Sequence, residues 1–133
     1  MIVTTLKEEQ VLQEQEKIYK VEIITRRENF QALKDALSEI GVEGLTVYNV
    51  EGCGVQKGIT TYYRGMKTEV NLIPKIKIDC IVSEVPYELV MSTAQKVLAT
   101  GEIGDGKIFV SEIIDAMRIR TGERGKQAIN NET

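Results

Sequence analysis

The chain contains no histidine and no tryptophan, and only two of its 133 residues are cysteine and two are proline. Without histidine, neither a His-based catalytic triad nor a His-ligated metal site can form. Cys53 and Cys80 show none of the spacings of metal or redox motifs, which favours reduced thiols in the cytoplasm. An enzyme is therefore not expected, because acid–base chemistry would fall to carboxylates, lysine or tyrosine.

The charge and hydropathy of the chain exclude further classes. A net charge of −3 at pH 7 gives no electrostatic basis for general nucleic-acid binding. The sequence has no run of about 18 apolar residues, and its N-terminus lacks a signal-peptide pattern. With 42% apolar and 28% charged residues, the composition is typical of one soluble globular domain.

Apolar periodicity predicts four strands and two helices in this domain. Alternation predicts the strands Tyr19–Thr25, Leu45–Val50, Ile76–Val82 and Lys107–Val110. Helical spacing predicts helices from Phe30 to Ile40 and from Tyr87 to Leu98. The order β-α-β-β-α-β indicates an α+β, ferredoxin-like fold, with both helices on one face of an antiparallel sheet. Residues 1–19 are interpreted as an N-terminal extension, a short helix or a mobile segment, ahead of a domain over 20–133.

A long connection separates the second and third predicted strands. It spans roughly 24 residues, from Glu51 to Pro74, and connections of that length are usually functional or disordered. The segment is polar and carries Gly52-Cys-Gly54, two adjacent tyrosines and Arg64-Gly65. A tolerated insertion is the alternative, but the length and composition favour a function.

The run from Thr100 to Val110 predicts a cradle for phosphate groups. Its glycines can adopt positive φ and bring backbone N–H groups close to an anion: Gly101, Gly104 and Gly106. Lys107 adds a positive charge at the rim. The spacing satisfies most of the Walker A pattern, but Ile108 stands where Ser or Thr would hold Mg²⁺, and the run follows a helical pattern. The chain is therefore not predicted to be a P-loop NTPase.

Arg118 and Arg120 form a second basic feature. In an extended segment, residues i and i+2 point the same way, so both guanidinium groups could reach one polyphosphate. Taken alone, the pair is more simply a solvated surface. Beside the glycine cradle, a phosphate-binding role is favoured.

The long connection, the glycine cradle and Arg118-Ile-Arg-Thr-Gly122 together resemble the PII nitrogen-regulatory proteins of the GlnB/GlnK type, most closely the Gram-positive GlnK branch. The resemblance runs from about Lys20 to Glu123. Its most specific segments are Gln56-Lys-Gly58, Tyr63-Arg-Gly65, Ile73-Pro-Lys-Ile-Lys77, Thr100–Val110 and Arg118–Glu123.

The resemblance implies a homotrimer that binds ATP or ADP in clefts between neighbouring subunits. It implies three loops: a T-loop (residues 54–73), a B-loop (100–107) and a C-loop (118–122). Mg²⁺-ATP and 2-oxoglutarate would bind together at the base of the T-loop, which controls a partner such as an ammonium transporter or a nitrogen-metabolism enzyme. Such a protein is a cytoplasmic sensor rather than an enzyme, contacts no nucleic acid directly and meets the membrane only through a transporter.

The same resemblance implies the site residues. Nucleotide contacts are expected from Ile24, Thr46, Gly52, Gly54, Val55, Gln56, Asp79, Ile81, Thr100, Gly104, Asp105, Gly106, Lys107, Arg118 and Arg120. Gln56 would join Mg²⁺, and 2-oxoglutarate would be bound by Gln56, Lys57, Gly58 and Lys75. Partner contacts are expected from Tyr63, Arg64 and Gly65. Without the resemblance, Ile24 and Ile81 are interpreted as core residues, Lys75 as a surface lysine and Asp105 as a turn-former.

Several positions depart from the family pattern. Val55 stands where many members carry an arginine that reaches the phosphates, which predicts a weaker preference for ATP over ADP. Arg26-Arg27 replaces the more usual Lys-Pro. Thr68 and Met66 stand where other branches carry a uridylylated tyrosine and a phosphorylated serine, so regulation by ligands alone is expected. The alternative function is a PII-like adenylate-binding regulator that does not sense 2-oxoglutarate and controls another nitrogen-metabolism enzyme.

Overall fold

The computed structural model describes residues 17–53, 60–63, 66–69 and 72–130. Within these ranges there are six strands: β1 (Ile18–Thr25), β2 (Leu45–Gly52), β3 (Thr60–Tyr63), β4 (Met66–Glu69), β5 (Ile73–Val82) and β6 (Lys107–Ile113). Three α-helices accompany them: α1 (Phe30–Glu39), α2 (Tyr87–Leu98) and the short α3 (Lys126–Ile129). A single 3₁₀ turn, Arg27–Asn29, precedes α1.

The main sheet has the strand order β2-β5-β1-β6, and every neighbouring pair is antiparallel. Because side chains alternate along a strand, one face of the sheet carries Val21 and Ile23 of β1 and Ile78 of β5, all fully buried. The helices pack on this face through Leu33 and Leu37 of α1 and Val90, Ala94 and Leu98 of α2. The predicted α+β, ferredoxin-like fold is confirmed.

The long connection between β2 and β5 contains two short strands that the apolar periodicity of the sequence did not predict. β3 and β4 pair as an antiparallel two-stranded sheet, from Thr60↔Glu69 to Tyr63↔Met66. Strands of four residues are too short for alternation to be recognised in a polar sequence. Arg64 and Gly65, between the two strands, lie outside the described residues.

The strands are longer than the sequence predicted. β2 continues to Gly52 and β5 begins at Ile73, three residues before the predicted start, because Glu51 pairs with Pro74 and Gly52 with Ile73. Pro74 lacks the N–H group that a central strand position would need. Proline is tolerated there because β1 pairs with β5 only from Ile76 onward, which leaves Pro74 with one neighbouring strand.

The two cysteines differ in environment, which generates a testable prediction. Cys80 is fully buried in the core, and burial raises the pKa of its thiol to about 12, whereas Cys53 is exposed. Because the thiolate is the reactive form, an aromatic disulfide reagent at pH 8 should label one thiol per native chain and two in denaturant. A Cys53→Ser variant should give no native reaction. Rapid native labelling of that variant would contradict the buried placement of Cys80.

Candidate functional site

The B-loop joins the end of α2 to β6 and is organised by the carboxylate of Asp105. This carboxylate accepts hydrogen bonds from the backbone N–H groups of Thr100 (2.7 Å) and Gly101 (3.0 Å) and from the Thr100 hydroxyl (2.5 Å). The two bonds from Thr100 and the nearby Arg26 guanidinium hold the pKa of Asp105 well below its ordinary range, so the group is ionised at neutral pH. The expectation of a turn-former at Asp105 is confirmed.

Two positions of the B-loop require glycine. Gly104 and Gly106 have φ of +105° and +112°, in the left-handed region that other residues avoid. A Cβ atom on Gly106 would lie 1.9 Å from the Ile24 carbonyl oxygen, and one on Gly104 would lie 2.8 Å from Arg26 Nη2. Glycine therefore allows the loop to lie directly against the end of β1.

The oxygen atoms of the B-loop are engaged by donors from the two central strands and from Arg26. Thr25 Oγ1 donates to the Asp105 carbonyl at 2.9 Å, and Lys75 Nζ donates to the Gly104 carbonyl at 2.7 Å. Among the described residues, no acceptor takes the backbone N–H groups of Gly104 and Gly106. The loop can therefore offer N–H donors to an anion while the carbonyls of residues 103–105 are occupied, and Lys107 follows immediately.

Ile24 lies beside this loop, on the sheet face opposite the helices. It also borders an open depression of about 230 Å³ on the helix side of the sheet, where the loop meets Gln95, Leu98 and Ala99 at the end of α2. Ile81 is 38% exposed on the face opposite the helices and lines a second depression of about 290 Å³, near Val42 and Val85. The alternative interpretation of Ile24 and Ile81 as core residues is therefore wrong: the alternation that buries Ile23 and Cys80 turns both outward.

Thr46 and Asp79 lie directly opposite each other on β2 and β5. Asp79 Oδ1 is buried and has no hydrogen-bond partner among the described residues. A buried carboxylate oxygen without a donor is costly, so this atom suits a hydroxyl or amine of a ligand or a neighbouring subunit. The donor requirement fits the ribose or adenine contact that the resemblance implies for Asp79.

The C-loop is a tight turn, which corrects the extended segment assumed for Arg118 and Arg120. The Gly122 N–H donates to the Arg118 carbonyl at 2.7 Å, and the Arg118 N–H donates to the Glu123 carbonyl at 2.9 Å. Arg120 lies within this turn and is exposed. Gly122, with φ of +75°, provides the left-handed residue that closes the turn.

The Arg118 guanidinium is engaged by the C-terminal segment. It forms an ion pair with Glu123 at 3.1 Å and donates to the carbonyls of Gln127 and Asn130 at 3.0 Å and 2.6 Å. Asn130 also lines the depression beside Ile81. Arg118 therefore lies near Ile81 rather than near the B-loop.

The predicted nucleotide residues thus form two groups within one chain. Lys107 pairs with Ile24 at one end of β6, and Ile113, after which the chain continues to Arg118, pairs with Ile18 at the other. The six steps between Lys107 and Ile113 span roughly 20 Å. One chain alone does not bring the B-loop and the C-loop arginines together.

The remaining predicted residues are only partly described. Gly52 lies beside Lys75, because a Cβ on Gly52 would be 3.6 Å from Lys75 Cγ. Tyr63 ends β3. The other predicted residues of the T-loop lie outside the described residues: Gly54, Val55, Gln56, Lys57, Gly58, Arg64 and Gly65.

Neither a metal cluster nor a membrane-spanning helix occurs in the part of the chain that the structure describes. No group of three His, Cys, Asp or Glu residues there could hold a metal ion. No helix within those same ranges is long and apolar enough to cross a bilayer.

Arg26 was not predicted as part of the site. The sequence identified it only as a departure from Lys-Pro, yet its guanidinium contacts Asp105, which is 79 residues away along the chain. No local pattern links two such positions. A signal was present in retrospect, since Arg26 follows directly on the last residue of the strand that the B-loop touches.

The fold and site define a ferredoxin-like domain with an inserted hairpin and a glycine-rich loop at one end of its sheet. Residues 18–123 match the family described as "Nitrogen regulatory protein P-II". The chain is also 53% identical over 112 residues to the "Nitrogen regulatory PII-like protein" of Bacillus subtilis, covering 84% of this chain and 97% of that one.

Two solved structures are similar along the same part of the chain. The GlnK-ATP complex of B. subtilis has a TM-score of 0.71 and 47% identity, covering 85% of this chain and 96% of that chain. The PII protein of Arabidopsis thaliana bound to citrate has a TM-score of 0.68 and 39% identity, covering 84% and 92%. The chain belongs to the nitrogen regulatory protein P-II family.

The geometry of the B-loop predicts that alanine is tolerated at Gly101 but not at Gly106. Gly106→Ala should displace the loop from β1, because the added Cβ would overlap the Ile24 carbonyl. Gly101→Ala meets no atom within 4 Å and should cost only about 1–2 kcal/mol of unfolding free energy, for its φ of +85°. Thermal unfolding and hydrogen exchange of residues 100–107 measure both effects. Equal effects of the two variants would contradict the close approach at Gly106.

Proposed function

We propose that this protein is a nitrogen-regulatory sensor that binds ATP and ADP in clefts between the subunits of a homotrimer and acts on a partner through its T-loop. The observation that carries the proposal is the B-loop, in which protein donors engage the carbonyls of residues 103–105 while, among the described residues, no acceptor takes the N–H groups of Gly104 and Gly106. The similar GlnK of B. subtilis was solved with ATP. The protein acts by binding, in the cytoplasm, and no residue is assigned a catalytic role.

The separation of the two residue groups supports a cleft shared between subunits. Lys107 lies at one end of β6, and Arg118 follows the other end. The face of the sheet opposite the helices also leaves Tyr48 and Phe109 42% and 50% exposed, and apolar exposure of this kind is typical of an interface. In the trimer, the B-loop of one subunit and the arginines of its neighbour would hold one polyphosphate.

The shared cleft can be tested by subunit complementation. Lys107→Ala and Arg118→Ala should each weaken ATP binding by about 1.5–3 kcal/mol, the scale of charge-assisted hydrogen bonds. When the two variants are unfolded together and refolded at a 1:1 ratio, about a quarter of the clefts should combine both wild-type residues. Calorimetry of the mixture should recover that fraction of tight ATP sites, with each variant refolded alone as the control.

Failure of the complementation would have a specific meaning. If the mixed trimers recover no tight sites while the wild-type protein refolded in parallel does, the B-loop and the arginines act within one chain. Unchanged ATP affinity of both single variants, with the trimer intact, would show that the nucleotide binds elsewhere.

Sensing of 2-oxoglutarate is the second part of the proposal. Lys75 is a cation at the edge of the B-loop, where its Nζ contacts the Gly104 carbonyl, so a carboxylate could compete with that carbonyl for the ammonium group. The similar PII protein of A. thaliana was solved with citrate, another carboxylic acid. Gln56 would supply the amide oxygen for Mg²⁺ at the base of the T-loop, and Lys57 and Gly58 would lie beside it.

Calorimetric titration with 2-oxoglutarate tests this part. Binding is expected only when Mg²⁺ and ATP are present, and Lys75→Gln should reduce the affinity at least about tenfold, the loss of one charge-assisted contact. Lys77→Gln is the matched control, because Lys77 pairs with Glu22 at 3.2 Å and lies over the Tyr48 ring. Nucleotide binding without any response to 2-oxoglutarate would favour the adenylate-only regulator.

Control of a partner is assigned to the T-loop, with Tyr63, Arg64 and Gly65 as its contacts. The support is the two-stranded sheet of β3 and β4, which is separate from the main sheet: Tyr63 ends β3, and Arg64 and Gly65 follow it in the sequence before β4 begins. An arginine there can donate several hydrogen bonds to the carbonyls of a channel such as an ammonium transporter.

The docking role predicts a separation of functions. Arg64→Ala should abolish co-sedimentation with membranes that contain an ammonium transporter, while ATP affinity should stay within about twofold of wild type, because Arg64 lies outside the nucleotide contacts. A Lys67→Ala variant controls for loss of positive charge in the same hairpin. Parallel loss of transporter and ATP binding would contradict a distinct docking role.

A further inference from the structure

The Arg26 guanidinium forms hydrogen bonds with the B-loop at two neighbouring residues. Its Nη1 pairs with Asp105 Oδ1 at 2.9 Å, and its Nη2 donates to the Ile103 carbonyl at 3.0 Å. Nη2 also lies 2.8 Å from the position a Cβ would take on Gly104, so the guanidinium lies tightly against the loop. The planar fork of arginine presents a separate nitrogen to each of two acceptors in this way, whereas all the donors of lysine lie on one ammonium nitrogen.

The acceptors that Arg26 engages are the ones that would oppose an anion. The Asp105 carboxylate is ionised and belongs to the loop that is proposed to hold phosphates. Left without its cation, it would repel a polyphosphate, and the repulsion would grow with the charge of the nucleotide. Arg26 both neutralises this charge and fixes the segment that presents the N–H groups of Gly104 and Gly106.

We propose that Arg26 is a positioning residue of the nucleotide site, which acts through Asp105 and Ile103 to hold the B-loop in its anion-binding conformation. The inference rests on the proposed nucleotide function. It assigns to Arg26 a role that depends on the loop and not on direct contact with the nucleotide. The neighbouring Arg27, which is exposed, has no such role.

The pair Arg26 and Arg27 provides a matched control, since the two residues are adjacent and carry the same charge. Arg26→Ala should weaken ATP binding about 10–100-fold, the range of a charge-assisted pair, and should weaken ADP binding less. Arg27→Ala should leave both affinities within about twofold. Hydrogen exchange of residues 100–106 should accelerate in Arg26→Ala alone. Equal ATP affinities of the two alanine variants would overturn the proposal.

A double-mutant cycle with Asp105→Asn separates positioning from direct contact. If Arg26 acts through the loop, its removal in the Asp105→Asn background should cost clearly less ATP affinity than in the wild-type background, because only its contact with the Ile103 carbonyl is left to lose. Losses that multiply in full in the double variant would show that Arg26 does not act through Asp105, which would overturn the positioning role.

Lysine substitutions test whether the guanidinium must bridge Asp105 and Ile103. They also provide a test of the proposal if Arg26→Ala does not fold. Arg26→Lys preserves the charge but loses the fork, so its ATP affinity should fall between those of Arg26→Ala and wild type, with Arg27→Lys unchanged. Wild-type affinity of Arg26→Lys would overturn the bridging role. Absence of ATP binding by the wild-type protein would instead refute the proposed function, which keeps the two failures distinct.

Discussion

The contact between the B-loop and the end of β1 is the constraint on which the rest of the site depends. Gly106 approaches the Ile24 carbonyl so closely that no side chain fits, and the Thr25 hydroxyl and the Arg26 guanidinium bind the loop immediately beside that point. β1 is a central strand, paired on both sides by β5 and β6. The loop is therefore attached to the most constrained part of the sheet, which favours a site preorganised for an anion.

The two faces of the sheet have different roles in the molecule. One face, with the helices, forms the apolar core and gives the domain its stability. The opposite face carries Glu22 paired with Lys77, the unpartnered Asp79 Oδ1 and exposed aromatic rings. The carboxylate oxygen lacks a hydrogen-bond donor, and the aromatic rings are exposed to solvent. Both features indicate that another molecule, such as a neighbouring subunit, contacts this face. The proposed trimer would supply such a surface and would also join the two groups of residues that are proposed to bind the nucleotide.

The fold could be predicted from the sequence because its signals are local. Alternation of Val21 and Ile23 with polar neighbours, and helical spacing of Leu33 and Leu37, are visible without any tertiary information. The glycine spacing of the B-loop likewise indicated an anion site, and Asp105 behaves as the turn-former expected of it. These features depend on residues close together in the chain.

The rest depends on contacts between distant residues, which periodicity does not encode. Arg26 and Asp105 meet only because β1 and β6 pair, and the C-loop turn is closed by bonds that an i, i+2 argument ignores. Ile24 and Ile81 were ambiguous for a related reason. A residue of an alternating apolar strand can face a core or an interface, and only the register with buried neighbours decides between them.

A crystal structure of the protein with ATP would show directly whether one nucleotide is shared between two subunits. The polyphosphate is expected against the backbone N–H groups of Gly104 and Gly106, with Lys107 of that chain beside it. The guanidinium of Arg118 should come from the adjacent subunit and should have left the Gln127 and Asn130 carbonyls. A nucleotide bound away from the B-loop, or one held by Lys107 and Arg118 of the same chain, would contradict the account.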